Sequence, residues 1–163
     1  MVELRNLYQD DCDLIFRWIS NPELRKMTGT RGIPNYEEHL KWFESKLNDK
    51  NNIIRIIIYD GIPVGIVGTN EINIYDKNAN VYLYIGNETY RKKGIAFKAV
   101  NQLIELLINE YQCHKIIATI RSYNIASINL FKKCGFDCEG VQKDQILYNG
   151  LYYDRILFGK IVS

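Results

Sequence analysis

The chain has 163 residues, 47% of them apolar, and sets 21 lysines and arginines against 19 acids for a formal net charge of +2. That length suits a single domain, expected to span residues 1–163, which buries roughly 70% of its unfolded surface and needs no disulfide or metal staple. So slight a cationic excess argues against nucleic acid as a partner, since phosphate contacts need a basic face, and no apolar run approaches the ~20 residues that would cross a bilayer.

The opening Met1-Val2-Glu3-Leu4-Arg5 has no apolar signal-peptide core, so the chain is expected to stay in the cytoplasm without contact with a membrane. Val2 to Leu7 reads as a strand, and Asp11 to Ser20 as a helix with Leu14, Ile15, Trp18 and Ile19 apolar. Asn21-Pro22 breaks it. Asn35 caps a second helix through Leu47, with Glu38 where a capping box reaches back. Ile53 to Tyr59 and Val64 to Ile74 read as strands joined at the hairpin signal Asp60-Gly61. Val81-Tyr82-Leu83-Tyr84-Ile85 is another strand, closed by Gly86 and Asn87. A long amphipathic helix follows, with Ala96, Ala99, Val100, Leu103 and Leu107 on one stripe. Lys115 to Ile120 reads as a buried strand, followed by a short helix that ends at Gly135 in the C′ role. A last hairpin runs from Cys138 to Tyr148 and from Leu151 to Ile161 around Asn149-Gly150. Cys12, Cys113, Cys134 and Cys138 form no Cys-x-x-Cys pair. With His39 and His114 they make no zinc-like spacing, so reduced thiols and no metal are expected.

Arg91-Lys92-Lys93-Gly94-Ile95-Ala96 carries the most information, because it lies between an apolar strand and a long helix. A basic, glycine-containing turn that opens a helix offers backbone N–H groups, the positive end of the helix dipole and cationic side chains to one ligand. A pyrophosphate fits that description. Glycine at 94 lets a phosphate oxygen approach the main chain, and Ala96 keeps the next helical turn narrow. The spacing is neither that of a P-loop nor that of a dinucleotide fingerprint.

The Arg-x-x-Gly-x-Ala string resembles the coenzyme A pyrophosphate loop of the GCN5-related N-acetyltransferases. About thirty residues on, Asn124-Ile125-Ala126-Ser127-Ile128-Asn129-Leu130-Phe131-Lys132-Lys133-Cys134-Gly135-Phe136 is similar to that family's other motif, in which an Asn ends a strand and a short helix runs to Gly-Phe. The resemblance covers nearly the whole chain. It implies an α/β (α+β) fold, a mixed twisted sheet of about seven strands flanked by about four helices, in the order β-α-α-β-β-β-α-β-α-β-β. It also implies direct transfer of acetyl from acetyl-coenzyme A to an amine in a ternary complex. By the same resemblance, Leu83, Tyr84 and Ile85 would offer main-chain bonds to the pantetheine arm. Arg91, Lys92, Lys93, Gly94, Ile95, Ala96 and Phe97 would hold the pyrophosphate, with Asn124 and Lys132 along the far side of the cofactor. From the residues alone, Asn124 also fits a plain strand-end turn, and Lys132 a solvated helix face.

Transfer requires an unprotonated amine, and a free alkylamine with pKa near ~10 is mostly charged at neutral pH. Glu71 is the first candidate for a base acting through water, because its strand leads towards the expected cleft; a surface-facing Glu is the alternative. The departing thiolate is the second problem. Many relatives place a Tyr in the second motif, at the position that here is Phe131. Tyr123, Ser127 and Tyr148 are the substitute acids, and Ser127 matches the Ser of the ribosomal-protein branch. The acceptor side is implied to comprise the first two helices, their connection and the final hairpin. Its Arg-x-x-x-Asn-Pro run, His-x-x-Trp helix and Gly-x-Tyr-x-Asp hairpin resemble enzymes that acetylate the 4-amino group of nucleotide-linked deoxyamino sugars. They also resemble ribosomal-protein N-terminal and spermidine acetyltransferases. Arg17, Arg25 and Arg31 would suit an anionic nucleotide, and Trp18, Tyr36 or Trp42 would stack on a base or sugar; core packing is the alternative for the tryptophans. A binding module without turnover is a further alternative. A homodimer through the terminal strands is compatible with the sequence, which does not decide it.

Overall fold

The computed structural model describes residues 1–163. Its elements run β1 (Val2–Asn6), α1 (Asp11–Ile19), α2 (Pro22–Thr28), α3 (Tyr36–Leu47), β2 (Ile54–Tyr59), β3 (Ile62–Asn73), β4 (Asn78–Ile85), α4 (Ile95–Tyr111), β5 (Lys115–Arg121), α5 (Ile125–Lys133), β6 (Asp137–Tyr148) and β7 (Leu151–Ile161). A 3-10 turn, Glu88–Tyr90, lies between β4 and α4. The strands form a seven-stranded mixed sheet in the order β1-β2-β3-β4-β5-β7-β6. β1 with β2, β2 with β3, β5 with β7 and β6 with β7 pair antiparallel, whereas β4 pairs with β5 in parallel over a ladder of only Asn78–Asn80 against Lys115–Ile117.

The expected order holds but for one helix. Asn21-Pro22 ends α1, yet the same dipeptide starts α2. Pro22 occupies a first-turn position where its missing N–H is no loss, and the Asn21 side chain accepts from the N–H groups of Glu23 and Leu24. The break expected there is also a cap. Asn35 caps α3 as expected by accepting from the Glu38 N–H.

The chain divides into two compact units. The first comprises Met1–Gly68 and Leu83–Ala99. It buries Ile15, Trp18, Leu24, Phe43, Ile56, Ile57, Val64, Ile66, Val67 and Ile95. The second comprises Thr69–Tyr82 and Val100–Ser163. Leu103, Leu107, Ile116, Ala118, Ile120, Phe131, Phe136 and Phe158 form its core. The 2.0 periodicity of β5, with Ile116, Ala118 and Ile120 buried, and the helical stripe Ala99, Val100, Leu103, Leu107 on α4 are the patterns that produce these cores. Cys12, Cys113 and Cys134 are buried free thiols and Cys138 is exposed. Burial pushes the first three thiols up in pKa, away from reactivity. No group of three or more His, Cys, Asp or Glu side chains is placed to hold a metal. No helix is long and apolar enough to cross a membrane.

Candidate active site

In the first unit the end of β4 leads into the basic turn. Gly86 and Asn87 both donate their N–H to the Val64 carbonyl, at 2.8 and 3.2 Å, so two residues of β4's continuation face one residue of β3. The approach is close throughout. A Cβ at Gly65 would overlap the Tyr84 carbonyl, and a Cβ at Gly86 would overlap the Trp18 indole. Beyond the 3-10 turn the backbone turns left-handed at Lys92 (φ +61°) and again at Gly94 (φ +75°). The Gly94 carbonyl then accepts the first helical bond of α4, from Lys98 at 3.3 Å. The first N–H groups of a 17-residue helix, which have no intrahelical acceptor, therefore follow directly on a cationic turn. Lys92, Lys93 and Gly94 are exposed, Ile95 is buried and Ala96 and Phe97 are half-buried. Lys93 lies over the Tyr90 ring, 5.4 Å from its centroid.

Arg91 behaves differently from its neighbours. Its Nε donates to the Ile85 carbonyl at 3.1 Å, its Nη1 lies 3.8 Å from a Glu88 carboxylate oxygen, and its Nη2 is buried without a partner. The carbonyl of Ile85, expected to face the cofactor arm, thus already accepts one bond.

In the second unit, Asn124 is the N-cap of α5: its Oδ1 accepts from the Ser127 N–H at 3.2 Å. At the far end Gly135 (φ +88°) donates to the Lys132 carbonyl and Phe136 to the Phe131 carbonyl, both at 3.0 Å, which is a Schellman ending. The rings of Phe131 and Phe136 meet edge to face at 5.0 Å, and Phe131 is 3% exposed. Phe131 therefore supplies the apolar contact that closes the helix. Lys132 is exposed. Tyr123 packs against Tyr153 at 4.9 Å and Tyr148 at 6.0 Å, so two of the three substitute acids lie together, half-buried. The adjoining Ser122 accepts the Asp154 N–H through Oγ at 3.1 Å. Glu71 is exposed on β3. Tyr82, two residues after Asn80 on the same face of β4, was not singled out by sequence; burial pushes its phenol up to about 12.

Several residues expected on the acceptor side are engaged elsewhere. The Arg25 guanidinium donates to the carbonyls of Ile19, Arg31 and Gly32 at 3.3, 2.9 and 2.7 Å, holding the loop after α2. Tyr36 donates to Asp13 at 2.6 Å, a bond that pushes its phenol up to about 12. Trp42 stacks on the buried His39, whose Nε2 donates to the Cys12 carbonyl at 2.9 Å, and Trp18 is 7% exposed.

Residues 2–137 match the family model described as an Acetyltransferase (GNAT) domain. The chain belongs to the GNAT acetyltransferase family. This acetyltransferase is 28% identical over 156 residues to the SPbeta prophage-derived uncharacterized N-acetyltransferase YokL of Bacillus subtilis strain 168, covering 96% of this chain and 87% of that one. It is 23% identical over 155 residues to the spermidine N(1)-acetyltransferase of Escherichia coli K12, covering 95% and 83%. Its fold matches the crystal structure of spermidine N-acetyltransferase from Vibrio cholerae in complex with CoA and spermine, with a TM-score of 0.90, 20% identity, and coverage of 98% and 95%.

Proposed function

We propose that this GNAT acetyltransferase passes the acetyl group of acetyl-coenzyme A directly to the primary amine of a small molecule. The observation that carries the reading is the left-handed turn at Lys92 and Gly94 opening α4, a backbone of the kind that gathers N–H groups around an anion. Arg91, Lys92, Lys93, Gly94, Ile95, Ala96 and Phe97 hold the pyrophosphate in this reading, and Leu83, Tyr84 and Ile85 the pantetheine arm. Asn124 and Lys132 flank the cofactor. Glu71 draws the proton from the amine through water. Tyr123, Ser127 and Tyr148 are the candidates to meet the departing thiolate; the adjacency of Tyr123 and Tyr148 favours that pair.

Three acceptor classes fit this reading. The motif resemblance supports the 4-amino group of a nucleotide-linked deoxyamino sugar. A specific observation favours a polyamine such as spermidine. Arg25, Tyr36, Trp18 and Trp42, four of the six side chains suited to a nucleotide, are held by carbonyls, by Asp13, and by packing against Gly86 and His39, while Arg17 and Arg31 are exposed. Spermidine acetyltransferases among the similar proteins agree with that preference. An N-terminal peptide acceptor ranks third. A cytoplasmic enzyme that self-associates is the accompanying expectation, one V. cholerae spermidine N-acetyltransferase structure being dodecameric.

Release of coenzyme A thiol against spermidine, 4-amino nucleotide sugars and N-terminal peptides tests the reading. One acceptor is expected to exceed the others in kcat/KM by orders of magnitude. Retained coenzyme A binding without transfer to any of them points to the non-catalytic binding module instead. Gly94→Val tests the loop. It forces a branched side chain into a left-handed position and towards the pyrophosphate, and is expected to abolish measurable coenzyme A binding in calorimetry. Unchanged affinity in a folded variant would remove the loop assignment.

A further inference from the structure

The Asn-Pro junction between α1 and α2 plays no part in the proposed chemistry, yet a chain of polar contacts leads from it to the basic turn. The Asn21 side chain acts at both of its ends. Oδ1 accepts from the N–H groups of Glu23 and Leu24 at 2.9 and 3.4 Å, while Nδ2 donates to Glu88 Oε1 at 2.9 Å. That same oxygen lies 3.8 Å from Arg91 Nη1. Arg91 Nε then reaches the Ile85 carbonyl at 3.1 Å. All four residues belong to the first unit.

The strengths of these links decide what the chain can do. Glu88 is 60% exposed and its pair with Arg91 is loose, so as an ion pair it adds little to stability. Orientation is another matter. A guanidinium is a planar fork with donors in fixed directions, so one hydrogen bond on Nε leaves it free to turn, and a carboxylate within ion-pair reach of Nη1 biases its plane. Glu88 gives that bias only if its own flexible side chain is held, and Asn21 holds it at 2.9 Å. Asn21 is held in turn by the two helix N–H groups that it caps. The orphaned Nη2 gives the same account from the other end. Swung into water, the guanidinium would satisfy every donor; it stays bonded to the Ile85 carbonyl and beside Glu88 with one donor buried and unspent.

We propose that Asn21, acting through Glu88, is a positioning residue for Arg91, so that the α1–α2 junction sets the geometry of the turn between β4 and α4 and with it the affinity for coenzyme A. This rests on the reading that residues 91–97 hold the pyrophosphate. The relay gives the expected acceptor side a direct mechanical link to the cofactor loop.

Asn21→Asp is the discriminating change. Asp caps a helix as well as Asn and suits the positive end of its dipole, so α2 and the melting temperature are retained. It has no donor for Glu88, however, and sets a carboxylate against it. Calorimetric titration of the full chain with coenzyme A is expected to show an affinity about fivefold weaker, the factor that matches one hydrogen bond of ordinary net strength. In Asn21→Asp with Glu88→Gln, the Gln amide donates to Asp and its oxygen faces Arg91, so affinity returns most of the way to that of the wild type. A helix cap alone would predict no such rescue. Asn21→Ser, which caps but cannot reach Glu88, repeats the loss should the Asp variant fold poorly. Wild-type affinity in Asn21→Asp or Asn21→Ser, or a double variant no better than Asn21→Asp, overturns the relay. If Gly94→Val weakens binding while Asn21→Asp does not, only the relay falls. If neither does, the loop reading fails first.

Discussion

Lys92 occupies a backbone conformation that costs a side chain with a Cβ ~1–2 kcal/mol, at φ +61° in the turn before α4. Strain of this kind persists where something else requires it, and here the residue's charge is the candidate. Lys92→Gly keeps the turn, relieves the strain and deletes the cation. The expected result is unchanged or higher thermal stability with weaker, less salt-sensitive coenzyme A binding, read from melting curves and titrations at two ionic strengths. Phe131 presents the opposite case. Relatives with Tyr there suggested a missing acid, but the ring is buried and closes α5 against Phe136. Phe131→Tyr adds a hydroxyl in that packing, and an unpartnered one costs ~1–3 kcal/mol. Lower melting temperature with coenzyme A affinity retained is the expected outcome. A rise in turnover without loss of stability would mean that the hydroxyl reaches the thioester.

At the scale of elements, α5 shows how a motif can serve structure and ligand together. Asn124 caps its first turn, the Phe131–Gly135–Phe136 ending closes its last, and Lys160 Nζ donates to the Cys134 carbonyl at 2.7 Å, a cation at the negative end of a helix. Asn124→Ala should therefore cost about 1 kcal/mol of stability by loss of the cap alone. Asn124→Asp keeps the cap. If coenzyme A affinity falls in both variants while only the Ala variant melts early, Asn124 touches the cofactor; if affinity follows stability, the residue is a cap and nothing more. At β4 the decisive contact is Gly86 beneath Trp18, where even a methyl group meets the indole. That contact explains why Trp18 is buried and why a glycine closes the strand.

For the whole molecule, pH dependence follows from groups that folding shifts. Burial lowers the pKa of His39 below its ordinary 6.5. Between the lowered value and 6.5 the unfolded chain binds the proton more readily than the folded one, so stability rises with pH in that window and is lost as pH falls through it. Asp49, which accepts from Asn51 and Asn52, and Asp154, which accepts from the Asp144 N–H, are also lowered and extend the same sign into the carboxylate range below 3.8. Melting temperature is expected to fall as pH is taken from about 7 to about 5, and His39→Gln should flatten the curve in that interval. An equally steep curve for the variant would show that other groups carry it.

The local chemistry of the chain determined most of what depends on neighbours in sequence. Alternation marked the strands, a helical stripe marked α4, Asn35 and Gly135 marked helix ends, and a basic glycine turn after an apolar strand marked the left-handed turn that opens α4. Each of these is a short-range preference of backbone and solvent. Asn21-Pro22 carries two local signals at once, since it both ends a helix and begins one. Tertiary structure decided what each side chain touches. Arg91 turns back to Ile85 and Glu88, Arg25 binds loop carbonyls, Phe131 seals a helix, and Tyr123 meets Tyr148 and Tyr153 from strands distant in sequence. A guanidinium or an aromatic ring has nearly the same propensity in any of these settings. Which partner it takes depends on the groups that folding brings within hydrogen-bond or packing distance, and residue order alone does not specify those.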